Sequence, residues 1–210
     1  MKRLIALFAT SLIAFPLDVA TFASTPGEPL IVQDNGGNTL IVDRLGNIFG
    51  FKGNFGDPAS IGLGGSDPSV PSPLTSFDDN GGVTGESTMQ NLAIVDVDMG
   101  FSSSIALTES GNVLVWGENR KGVLGIGESD TSVKKTEPFA LSPSSFGGEI
   151  VVDVEMSRAV AAALTDSGQV YVWGESFRSS AINQSDSPSS LDLSNLPAGE
   201  QVTQISLGGA

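Results

Sequence analysis

A chain of 210 residues is long enough to bury a substantial core. Its 24 acidic and 10 basic side chains leave a formal charge of −14, which gives it few groups with which to displace counterions from a polyanion and disfavours nucleic acid as a partner. It contains no His and no Cys, so a Ser-His-Asp triad, a thiol nucleophile, a thiolate zinc site and disulfides are all excluded, and proton chemistry is left to carboxylates.

The chain opens with Lys2 and Arg3 ahead of the apolar run Leu4–Ile13. Small residues follow at Thr21-Phe22-Ala23. This pattern predicts a signal peptide over residues 1–23, and hence a secreted or periplasmic/cell-envelope protein. The run is too short to span a bilayer, so no membrane span is expected.

Residues 24–92 read as a worn first repeat with a long loop. Thr39–Phe51 aligns with Ser104–Trp116, and Phe51 falls where the later unit has Trp116. Two stretches here, Asp34-Asn35-Gly36-Gly37-Asn38 and Asp78-Asp79-Asn80-Gly81-Gly82, are rich in oxygen donors. Neither has calcium-loop spacing, and both read first as turns. Gly62-Leu63-Gly64-Gly65 lacks the Lys-Ser/Thr of a phosphate cradle, and so does Gly122–Gly127.

Residues 93–149 form the clearest unit. In it Val95, Val97 and Met99 alternate with Asp96 and Asp98, the period of a strand. An apolar run, Ser104–Thr108, leads through Glu109-Ser110-Gly111 into Asn112–Gly117, a hairpin whose Gly111 is read as left-handed. Residues 150–202 repeat this at a constant offset of 57, so that Gly168 matches Gly111, Trp173 matches Trp116 and Gly174 matches Gly117. Residues 203–210 resemble the start of a fourth unit. A fixed period of this kind marks a repeat architecture.

Both sides of each hairpin's second strand are apolar. Val113 and Val115 oppose Leu114 and Trp116, and Val170 and Val172 oppose Tyr171 and Trp173. Strands of this kind need cover on both faces, which short antiparallel sheets stacked around an axis provide. The fold class expected is all-β, four-stranded propeller blades with Trp as the wedge between them.

The residues Gly100, Ser104, Ala106, Leu107, Thr108, Gly111, Val113, Trp116, Gly117, Asn119, Gly122, Leu124, Gly125 and Gly127 resemble the repeat of the regulator of chromosome condensation family. That resemblance implies blades of a seven-bladed propeller and a role in macromolecular interaction. The chain departs from the pattern in three respects. It has about three units. Ser103, Val160 and Asn38 take the usual His position. Ser179–Gln184 replace the Gly-rich tail of the third unit. The expectation is a piece of a longer reading frame, or several chains completing a ring. In either case open blade faces favour self-association.

Asp96 and Asp98 recur as Asp153 and Glu155. Paired carboxylates suit glycoside hydrolysis, but a feature repeated in each blade reads better as structural. Phe55, Phe101 and Phe177 are candidate loop-tip aromatics. The long connectors point to Asp78, Asp79, Glu128 and Asp130 as binding-loop residues. Lys134-Lys135 and Arg120-Lys121 read as solvated pairs. The chain is thus expected to be an exported, non-enzymatic protein without cofactor or metal that binds a protein partner through its loops. A polysaccharide-acting enzyme built on the carboxylates, or exchange activity on a small GTPase, are the alternatives.

Overall fold

The computed structural model describes residues 29–208, except 55, 65, 67, 86–87, 129, 131 and 176–184. The expected signal peptide, Phe55, Phe177 and the altered tail of the third unit lie outside the described residues.

Three four-stranded antiparallel sheets follow one another along the chain, each a simple meander. The first comprises β1 (Leu30–Gln33), β2 (Thr39–Val42), β3 (Ile48–Phe51) and β4 (Ser72–Pro73). The second comprises β5 (Ile94–Met99), β6 (Ser103–Thr108), β7 (Val113–Glu118) and β8 (Lys134–Ala140). The third comprises β9 (Val151–Met156), β10 (Val160–Thr165), β11 (Val170–Gly174) and β12 (Ser185–Ser190). Only short 3₁₀ turns interrupt them among the described residues. β1, β5 and β9 stand next to one another, so the first strand of each sheet is its innermost.

Register decides what each sheet buries. In the second sheet Ser104 pairs with Trp116 and Ala106 with Leu114 on one face, while Ile105 pairs with Val115 and Leu107 with Val113 on the other. The first face packs on Leu40, Val42, Ile48, Leu74 and Met89 of the first unit. The second packs on Val151, Val154, Met156, Ala161, Ala163 and Trp173 of the third. The middle sheet is therefore covered on both sides, as its doubly apolar strands require.

The two tryptophans are the wedges. Both are fully buried. The Trp116 Nε1–H donates to the Ser60 carbonyl at 2.8 Å, and that of Trp173 to the Val123 carbonyl at 2.8 Å. Each indole thus buries its ring and satisfies its one donor on the sheet before it. Ser60 lies in a 3₁₀ turn, Pro58–Ile61, whose Ala59 amide is capped by the Asp57 carboxylate. Gly125, two residues after Val123, has φ +67, and a Cβ there would come within 2.8 Å of Trp173 Nε1. Phe51, at the equivalent position of the first sheet, is half-buried, and no described residues form a sheet before it.

The repeated glycines have distinct tasks. Gly111 (φ +83) and Gly168 (φ +85) close the hairpins from the left-handed region, where a Cβ is costly. Gly117 and Gly174 lie where β7 and β11 slip register against β8 and β12.

Two sequence readings need correction. β8 and β12 fall in stretches read as connector or left unread, because Lys134–Ala140 and Ser185–Ser190 are polar and contain Pro138 and Pro188. Both are outermost strands, where a proline costs no ladder bond. The basic pairs are not merely solvated. Lys134 bridges Asp57 of the first unit (2.6 Å) to Glu118 of the second (2.9 Å), and Lys121 reaches Glu175 of the third at 2.8 Å. Burial alone would raise the Asp57 carboxyl, but the Lys134 ammonium and the Ala59 amide hold it below its ordinary value.

Candidate binding face

Where the innermost strands end, their carboxylates meet the next sheet. Val97 and Met99 turn into the core, which leaves Asp96 and Asp98 on the opposite side of β5. The Asp98 Oδ2 accepts from the Met156 amide at 2.8 Å. One unit on, the Asp153 Oδ2 accepts from the Ile205 amide at 3.1 Å, and the Glu155 Oε2 from the Leu207 amide at 3.3 Å. Asp96 accepts from the Val154 amide in the same way. Asp96 and Asp98 therefore clamp β9 by its main chain, and Asp153 and Glu155 clamp the segment at Ile205 and Leu207 in the same way. The second and third units share this role, whereas β1, Leu30–Gln33, carries no acidic side chain.

The clamp strains the ionisation of its carboxyls. Burial, followed by the Asp153 charge, pushes Asp96 up to about 6. Burial also raises Asp98, Asp153 and Glu155 against the hydrogen bonds they accept.

Beside this row, the turns after β1, β5 and β9 surround a cleft of about 280 Å³. Asp34, Asp98, Phe101, Glu155, Arg158 and Leu207 are among its lining residues. In the first turn Asp34 is buried, and its Oδ1 accepts from the Gly36 and Asn38 amides, as expected of an Asx turn. Asn38, at the family's usual His position, is fully buried. It donates to Asp34, the Asp57 carbonyl and Ser60, and accepts from the Gly53 amide. At the same position the Ser103 hydroxyl donates to the Glu118 carbonyl at 2.6 Å.

The second and third turns carry Phe101 and Arg158, which are the same repeat position one unit apart. Phe101 remains 38% exposed. The Arg120 Cζ lies 5.2 Å from its ring centroid and the Arg158 Cζ 5.3 Å. Contacts of this kind contribute about 0.5–1 kcal/mol at exposed sites. Arg120 is further fixed by Glu118, whose Oε2 accepts from Nε at 2.6 Å. Sequence reasoning singled out Phe101 but missed Arg158. The signal was available in the offset of 57, which places the two side chains on adjacent tips.

The predicted loop acids lie elsewhere and largely hold their own loops. Asp78 bridges Phe139 on the outer edge of β8, and its Oδ1 accepts from the Asn80 amide. Asp79 accepts from the amide and hydroxyl of Thr84. Asp130 accepts from the Ser132 amide, which together with the Ser132 hydroxyl lowers its pKa. Glu128 is exposed, and its carbonyl accepts from Asn119 Nδ2. A second cleft, of about 380 Å³ on the first sheet, has no charged residue among its lining. No group of His, Cys, Asp or Glu among the described residues is arranged to hold a metal. No described helix is long and apolar enough to cross a membrane.

Comparison with known proteins agrees with the fold. The model for the regulator of chromosome condensation (RCC1) repeat matches residues 94–123. Human E3 ubiquitin-protein ligase HERC2 is 31% identical over 139 residues, 65% of this chain and 2% of the relative. Ras guanine nucleotide exchange factor C of Dictyostelium discoideum is 34% identical over 89 residues, 42% of this chain and 6% of the relative. This chain thus spans only a few per cent of those relatives. Among solved structures, human WBSCR16 superposes with a TM-score of 0.63 at 20% identity, over 93% of this chain and 46% of that one. Prp20p of Saccharomyces cerevisiae, a structure described together with its binding to Gsp1p and histones, gives a TM-score of 0.60 at 16% identity, over 86% of this chain and 41% of that one.

Proposed function

Because the chain is built of RCC1 repeats folded as propeller blades, we propose that it is an exported, non-enzymatic binding protein whose partner is another protein, held at the face where the turns after β1, β5 and β9 converge. The observation that carries this is the cleft shared by three successive units, with exposed Phe101 at its rim. Stacked sheets fix these turns before any partner arrives, so little ordering entropy is lost on binding. The acidic side chains nearest the cleft are engaged with main-chain amides, which favours a scaffold over hydrolysis. The signal-like residues 1–23 support export, and an acidic chain suits a protein partner better than a nucleic acid.

A photo-cross-linking amino acid placed at Phe101 tests the face, with Val70, exposed on a connector, as control. In the source cells a discrete adduct is expected from position 101 and not from 70. Equal adducts at both, or none at 101, would contradict the reading. N-terminal sequencing of the exported chain is expected to begin near residue 24. Similarity to an exchange factor favours one further trial, nucleotide release from small GTPases, in which acceleration would replace the scaffold reading with exchange.

A further inference from the structure

We infer that the Arg120–Phe101–Arg158 cluster is the part of this face that selects its partner, by taking a carboxylate from an acidic peptide segment. The inference rests on the face being the binding face and goes on to name the chemistry. Two guanidinium groups from different sheets converge on one exposed ring, at 5.2 and 5.3 Å. In a chain of formal charge −14, such a concentration of positive charge is conspicuous. Arg120, Lys121, Lys134 and Lys135 each have a carboxylate within 4 Å. Arg158 makes no ion pair among the described residues, although Asp98 and Glu155 line the same cleft. Those two carboxylates are turned to the Met156 and Leu207 amides.

The geometry favours a carboxylate. Guanidinium is a planar fork that binds carboxylate with two parallel N–H donors, and stacking on Phe101 holds it in place beforehand. The exposed ring offers contact to the aliphatic part of a Glu or Asp side chain. Asp98 and Glu155 behind the rim would repel a continuous polyanion, so a short acidic segment fits where a nucleic-acid backbone does not.

The test is a titration of the full chain, labelled with ¹⁵N, with a hexaglutamate peptide at physiological ionic strength. Saturable shifts are expected at the Nε–H of Arg158 and Arg120 and at the Phe101 amide, with Arg44 unmoved. Arg158→Ala is expected to weaken binding about tenfold, from the loss of charge-assisted hydrogen bonds. Arg158→Lys, which keeps the charge but not the fork, is expected to recover only part. Arg158 is exposed, so unchanged melting temperatures show that the variants fold. Equal affinity in Arg158→Ala, equal shifts at Arg44, or no saturable shift would overturn the inference. A partner adduct at position 101 combined with any of these would leave the face standing and its acid specificity refuted.

Discussion

At the scale of the residue, Asp96 is the most informative side chain. Its carboxyl faces Asp153 and Glu155 across the clamp and is held at about 6, against an ordinary value of 3.8. The folded chain therefore takes up this proton more readily than the unfolded one. The resulting stabilisation is complete below about pH 4 and is lost as pH rises through about 6. Asp98, Asp153 and Glu155 shift in the same direction. Asp96→Asn keeps an oxygen for the Val154 amide and removes the charge. It is expected to raise stability at pH 7.5 by about 1–2 kcal/mol and to flatten the decline between about pH 4 and 6. Urea melts at about pH 4 and pH 7.5 check this; parallel profiles for the two proteins would contradict it. The clamp was legible as a repeat of acids, but its bonding was not. A two-residue alternation gives a face and says nothing of which amides stand opposite.

At the scale of the element, packing between a tail and a tryptophan joins one sheet to the next. Trp173→Ala removes a fully buried ring and strands the Val123 carbonyl. A loss of about 3–5 kcal/mol is expected by chemical denaturation. Phe51→Ala, at the half-buried equivalent, is expected to cost well under half as much. Gly125→Ala must both strain φ +67 and push against Trp173, whereas Gly81 has a similar φ of +81 with nothing within 4 Å. The first substitution is expected to lower stability by about 2 kcal/mol or more and the second by about 1 kcal/mol, read as denaturant midpoints. Similar costs would mean that the tail does not seat the indole. The tryptophans, hairpin glycines and doubly apolar strands were all visible in the sequence, because each recurs at one spacing. β8 and β12 were not. An edge strand is free to be polar and to carry Pro138 or Pro188, so its residues look like loop.

At the scale of the whole molecule, the sheets share their inner faces and present turns along one rim. The first sheet's outward face carries exposed Ile31 and half-buried Ile41, Phe49 and Phe51. Apolar surface of this kind favours association. Light scattering of residues 24–210 is expected to show a mass that rises with concentration, and Ile31→Lys is expected to reduce it; a monomer at all concentrations would contradict this. The propeller architecture was readable from the period together with strands that are apolar on both faces. The candidate face was not, because turns vary between units and Phe101, Arg120 and Arg158 meet only once the sheets are stacked.

The account depends on each indole being buried against the sheet before it. Hydrogen exchange of the two indole Nε1–H groups, followed by NMR in the folded chain, reads this directly. Both are predicted to be protected for far longer than a free indole, with protection at Trp173 lost in Gly125→Ala while that at Trp116 survives. Two rapidly exchanging indoles in the wild-type chain would contradict the stacked-blade structure itself.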